Sequence, residues 1–174
     1  MFKLGDIWVI DTSSIIEVRG GLVPRQNMQG VYDALTSMVI RGQLVFPPAV
    51  LNELEAWERS RSGPDPPLRW ARENQERATR FKHGIDYWKK VMTEAGEVID
   101  PDKSGADEAD PHVLALALYL VDERYTVTVV TEDRKDRPDK ISLNSACGIL
   151  RLPCLPVRIF LRRLGIWPKS GEAT

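Results

Sequence analysis

The chain is poor in cysteine and histidine, has almost no net charge, and lacks a long apolar run. Cys147 and Cys154 are the only cysteines among 174 residues, with no CxxC pair and only two histidines. This excludes a disulfide-stapled scaffold, argues against a zinc site and agrees with a reducing cytoplasm. No apolar stretch approaches the roughly 20 residues of a membrane span, so no membrane association is expected. Met1-Phe2-Lys3-Leu4-Gly5-Asp6 carries no signal-peptide pattern and runs into an apolar segment. The net charge of -1 lacks the basic excess of many nucleic-acid binders. It leaves open a site that gathers acids at its centre and bases around it.

What is present is a globular composition, 43% hydrophobic and 28% charged, in a length suited to one domain with a proper core. We read residues 1–167 as that domain and 168–174 as a frayed tail. Ile7-Trp8-Val9-Ile10 reads as a strand buried on both faces. Residues 12–18 read as a short helix with Thr12, Ser13 or Ser14 as its N-cap, broken by Gly20-Gly21 and Pro24. An amphipathic helix follows over 28–41, with Gly42 closing it. Leu44-Val45-Phe46 is a short strand, and Pro47-Pro48 opens a helix to about residue 60. After a polar break at 60–67, the charged segment 68–95 is helical, divided at Gly84. An acidic loop over 96–109 leads to the clearest helix, 110–123. A second core strand covers 126–130, then helical turns at 141–147, a final strand at 149–152 and a closing helix at 157–164. This alternation predicts an α/β fold, a three-layer α/β/α sandwich around a mostly parallel sheet.

Ligands in such folds gather beyond the carboxyl ends of the strands. Asp11 and Asp133 both follow core strands at that edge. Asp110 begins a helix, where the macrodipole favours an anion, and Glu53 lies within one. Each has a plainer role available: helix cap for Asp11, ordinary first-turn acid for Asp110, solvated face for Glu53 beside Glu55 and Glu58, and one of a charged run for Asp133 beside Glu132 and Asp136. Converging, they would make an oxygen-donor pocket for a hard divalent cation such as Mg²⁺ or Mn²⁺. Asp107 and Glu108 are close enough in sequence to contribute or to serve only as loop solvation.

Four segments, in order, carry a family resemblance. Val9-Ile10-Asp11-Thr12-Ser13 resembles the first motif of PIN-domain nucleases, a strand ending in Asp-x-Ser. Val50-Leu51-Asn52-Glu53-Leu54 resembles their helical Glu. Asp110-Pro111-His112-Val113-Leu114-Ala115-Leu116-Ala117 resembles their third motif, and Val129-Val130-Thr131-Glu132-Asp133 their strand-ending Thr-x-Asp. The stretches Leu155-Pro156-Val157 and Leu164-Gly165-Ile166 resemble a PIN-like subgroup of bacterial and archaeal toxin–antitoxin systems. The helical segment 66–95 is longer than in the smallest members.

The resemblance implies a cytoplasmic Mg²⁺- or Mn²⁺-dependent ribonuclease, a toxin restrained by a cognate antitoxin, and a homodimer. Asp11, Asp110 and Asp133 would be metal ligands. Glu53 would bind metal directly or hold a metal-bound water, and Ser13 and Thr131 would orient ligands or water. Two metals roughly 3.5–4 Å apart are one way to activate water and stabilise the leaving oxygen. Arg69, Arg72 and Arg80, read as sharing part of a helical face near Trp70 and Phe81, form one candidate RNA surface; Glu73, Glu76 and Asp86 make a salt-bridged helix pair the competing reading. Arg134 and Lys135, with Arg137 and Lys140, form a second candidate surface. His112 reads as surface or packing, and the tryptophans as core anchors. The competing classes are a non-catalytic RNA- or partner-binding module and an aspartyl-phosphate receiver. A receiver needs an acidic pair, and Asp6 stands alone.

Overall fold

Strand β1, Asp6–Ile10, is the centre of the molecule. Its apolar residues pair on both sides, with β2 (Leu44–Val45) and with β3 (Thr126–Val130), and β4 (Cys154–Leu155) extends the sheet beyond β3. All three pairings are parallel, in the order β2-β1-β3-β4. Parallel neighbours require crossovers, and here helices supply them. The computed structural model describes residues 5–19, 23–59, 65–102 and 108–166. The glycine pair Gly20-Gly21, most of the polar break at 60–67, Asp107 and the tail at 168–174 lie outside those residues.

The helices are α1 (Thr12–Glu17), α2 (Met28–Ile40), α3 (Pro48–Arg59), α4 (Pro66–Ala78), α5 (Ile85–Ala95), α6 (Ala109–Asp122), α7 (Leu143–Ile149) and α8 (Val157–Arg163). They flank the sheet in the α/β/α arrangement expected from sequence. One buried apolar cluster joins β1 and β3 to α2, α3, α4, α6, α7 and α8. Helix α6 presents apolar residues nearly all round because it lies inside: Val113, Leu114, Ala115, Leu116, Ala117 and Leu120 are all buried. Trp8 and Trp70 are core anchors as read, Trp8 stacking on Phe160 of α8 at 4.9 Å.

Two expectations need correction. The predicted strand at 149–152 is the end of α7 and the turn after it. Arg151 takes a left-handed φ of 56° and donates to the Gly148 carbonyl at 3.2 Å, while Leu152 donates to that of Cys147 at 2.9 Å. That is a Schellman closure, which buries Leu150 and Leu152 without pairing them in the sheet. The true edge strand is Cys154–Leu155, aligned with Val129 and Val130. The second correction concerns Arg80, which lies beyond the end of α4. Its guanidinium donates to the Gly42 carbonyl at 3.0 Å and covers the Phe81 ring at 4.5 Å, so it shares no helical face with Arg69 and Arg72.

Gly42 closes α2 as expected, at φ 72°, and a Cβ there would also run into the Arg80 guanidinium. Gly42→Ala is therefore expected to lower unfolding stability by about 1–2 kcal/mol, the cost of a left-handed alanine. Arg151→Gly is expected to raise it by up to about 1 kcal/mol, because glycine carries no such cost. Urea melts of the two variants against the wild type check both signs.

Candidate functional site

The site begins at the register of β1 on β3. Ile10 lies opposite Val130, and the ladder continues one step further, with Asp11 N–H donating to the Val130 carbonyl at 3.1 Å. Asp11 and Thr131 thus leave the sheet side by side at its carboxyl edge. Asp11 is only 2% exposed. Its Oδ1 accepts from Ser14 N–H at 2.8 Å, which makes Asp11 itself the N-cap of α1 in place of Thr12, Ser13 or Ser14. Those three are already helical, and only Asp11 has the extended backbone a cap requires. Its Oδ2 accepts from Ser13 Oγ at 2.7 Å and from the Thr131 hydroxyl. Ser13 and Thr131 in turn accept the backbone N–H groups of Glu132 and Asp133, each at 3.0 Å.

The other three acids close a circuit with Asp11. Thr12 Oγ1 donates to Glu53 Oε2 at 2.6 Å, and Glu53 Oε1 accepts from Ala109 N–H, the first residue of α6, at 3.2 Å. Asp110, next along, accepts from Lys140 Nζ at 2.9 Å, and the same ammonium lies 3.4 Å from Asp133 Oδ2. Asp133 Oδ2 also takes the N–H of Leu143, first residue of α7, at 3.0 Å. Through Thr131 the chain of contacts returns to Asp11. The four acids picked from sequence are thus brought to one edge. The starts of three helices, α1, α6 and α7, each give an N–H to one of them, so the positive ends of the helix dipoles meet the carboxylates.

Burial makes these charges costly. Burial pushes the Asp11 carboxyl up to about 6, against the opposing hydrogen bonds from Thr131, Ser13 and Ser14. Asp110 is pushed up to about 7, first by burial; Lys140 opposes this, while the charges of Asp11 and Glu53 add to it. Burial would lower the Lys140 ammonium, but Asp110 and Asp133 carry it above the ordinary lysine range. Lys140 is the functional residue whose place the sequence did not give. The sequence groups it with Arg134, Lys135 and Arg137 as a candidate phosphate-contact surface; its side chain is 13% exposed and turned into the acids. The signal available was its position seven residues after Asp133, just before α7.

The remaining candidates fall elsewhere. Glu108 uses both carboxylate oxygens on Asp100 N–H, at 2.9 and 3.0 Å. Arg137 pairs with Asp100 at 2.7 Å, and Arg72 with Glu55 at 3.1 Å. Arg69, Arg134 and Lys135 face solvent. His112 meets His83 ring to ring, Nδ1 to Nε2 at 3.1 Å. Both border a groove of about 280 Å³ with Pro47, Pro48, Asn52, Phe81 and Lys82. Asn52 adjoins Glu53 in the chain, and His112 lies two residues past Asp110, so the groove lies near the acids.

Among the described residues, no three acids, histidines or cysteines are grouped closely enough to hold a metal ion as they stand. The donor chemistry nevertheless fits a hard divalent cation: oxygen ligands, buried at Asp11 and half-buried at the other three acids, with the Asp110 carboxyl raised first by burial and then by the charges of Asp11 and Glu53, and Asp110 Oδ1 without a hydrogen bond among the described residues. Asp11 Oδ1 accepts one hydrogen bond and keeps a second lone pair.

A family model described as a domain of unknown function, DUF4411, matches residues 8–167. The chain belongs to the DUF4411 family. The match spans all four acids and Lys140, so the whole circuit lies inside the DUF4411 domain. Comparison with curated proteins and with solved structures gave no match.

The raised carboxyls give a pH dependence. In metal-free protein the folded state holds protons on Asp11 and Asp110 that the unfolded state releases near pH 4, so their contribution to stability falls as pH rises towards 6–7. Asp110→Asn carries no such charge. Its stability relative to wild type, from urea melts in chelator, is expected to grow between pH 5 and pH 8. A constant difference would contradict the geometry.

Proposed function

We propose that this domain is a metal-dependent endoribonuclease with a PIN-like site, using Mg²⁺ or Mn²⁺. The observation that carries the reading is the closed circuit of Asp11, Glu53, Asp110 and Asp133 at the carboxyl edge of a parallel sheet. Asp11 and Asp110 would hold the ion, with Asp133 beside them. A bound divalent ion lowers the pKa of water and stabilises the departing oxygen of a phosphodiester. Glu53, held between Thr12 and the start of α6, is the group to take a proton from the attacking water. Ser13 and Thr131 fix the Asp11 carboxylate so that its remaining lone pair has a defined direction.

RNA as the substrate is supported by the groove near the acids. The paired rings of His83 and His112 offer flat surfaces for unpaired bases, and Lys82 a charge for phosphate. Arg134 and Lys135, exposed after β3, are further phosphate contacts in this reading. We further read the protein as the toxin of a toxin–antitoxin pair, active in the cytoplasm and forming a homodimer. In this reading an antitoxin acts by occluding the acidic edge or by inserting a basic side chain into it.

RNA cleavage is expected only with Mg²⁺ or Mn²⁺, lost in excess chelator. Asp11→Asn and Asp110→Asn are expected to lower the rate by at least about 100-fold, since even groups that merely orient metal ligands are worth 10–100-fold. Cleavage that survives both substitutions or the chelator overturns the nuclease reading, and tight RNA binding without turnover selects the binding module. Co-expression with products of adjacent genes is expected to give a stable complex that relieves growth arrest; the absence of both the complex and any growth effect removes the toxin assignment.

A further inference from the structure

We infer that Lys140 is a built-in cation that takes the place of a second metal, so that the site binds one divalent ion. This rests on the metal-nuclease reading above and adds a stoichiometry to it. The Lys140 ammonium bridges Asp110 at 2.9 Å and Asp133 at 3.4 Å, two of the four acids of the proposed site. Lysine side chains ordinarily stay mobile in water and keep their rotamer freedom. This one is held almost out of water.

Its backbone is fixed to match. Lys140 exchanges hydrogen bonds with Arg137 across a short antiparallel bridge, N–H to O distances 2.8 and 3.4 Å. Arg137 is anchored on Asp100 at 2.7 Å, and the next residue, Ile141, donates to the Glu97 carbonyl at 2.9 Å. The turn therefore delivers the ammonium to one place, and the acids have a counter-charge without any ion.

Charge and valence set the stoichiometry. With all four carboxylates ionised, as metal ligands must be, they and the one ammonium sum to about −3. One divalent ion brings it to about −1, which a phosphodiester with its developing charge tolerates poorly unless a donor faces it. An ammonium has three N–H groups, and Asp110 and Asp133 use two, leaving one for a phosphate oxygen. A second divalent ion would have to displace the ammonium from the carboxylates it bridges. Lys140 is thus a positioning residue for Asp110 and Asp133 and, with RNA bound, a phosphate contact.

Mn²⁺ titration of the full chain, followed by the electron paramagnetic resonance signal of free Mn²⁺, tests this directly. Wild type and Lys140→Arg are expected to bind one Mn²⁺ per chain. Lys140→Gln is expected to bind two. Two ions in the wild type, or one ion in Lys140→Gln, overturn the inference while leaving the nuclease reading standing. No Mn²⁺ binding by the wild type, with cleavage indifferent to chelator, instead removes the nuclease reading itself. Far-UV circular dichroism checks that Lys140→Gln is folded. If it is not, the wild-type stoichiometry alone decides: one ion supports the inference and two overturn it.

Discussion

Everything at the site depends on the parallel pairing of β1 with β3 in a single register. Asp6 to Ile10 align with Thr126 to Val130, and one residue beyond the last pair stand Asp11 and Thr131. A slip of one residue would turn every side chain of β1 to the opposite face. A slip of two would keep the apolar pattern but part the Asp11 carboxylate from the Thr131 hydroxyl. The register is held because both strands are buried on both faces near this edge, with Val9, Ile10, Val129 and Val130 inaccessible to water. Hydrophobic packing thereby sets the position of a polar contact to within a hydrogen-bond length.

A cluster of buried acids works against folding, and the structure offsets it in two ways. Backbone donors come from the starts of α1, α6 and α7, groups that would lack partners within their own helices. Positive charge comes from Lys140. The offset is incomplete, as the raised Asp11 and Asp110 carboxyls record. A residual excess of negative charge in a water-poor setting is the condition under which a divalent cation binds well. The same arrangement that costs stability is what gives the edge its chemistry.

Most of the fold was legible in the sequence because its signals are local. The β-branched run before Asp11, the proline opening α3, the glycine after α2 and the apolar faces of α2 and α6 each state their element within a few residues. Asp11, Asp110 and Asp133 were legible for the same reason, standing at strand ends and a helix start, while Glu53, inside α3, was picked out by the motif resemblance. The edge strand was not. Cys154–Leu155 is two residues long between Pro153 and Pro156, and the more apolar run from Ile149 to Leu152 outbid it. That run is buried by a helix-ending turn with an arginine in a left-handed conformation, which nothing in its composition announces. Lys140 was hidden differently. It sits in a stretch of alternating acids and bases, where only the bridge to Arg137 and the anchor on Asp100, 37 residues from Arg137, decide which base turns inward.

The contact between Thr131 and Asp11 joins residues 120 apart in the chain. A ribosome adding 5–20 residues per second separates their synthesis by roughly 6–24 s. During that interval Glu53 and then Asp110 are added, but until β3 is made, and the lysine turn after it, the acidic edge does not exist. The edge is therefore assembled late in synthesis, a delay set by the strand order of the sheet.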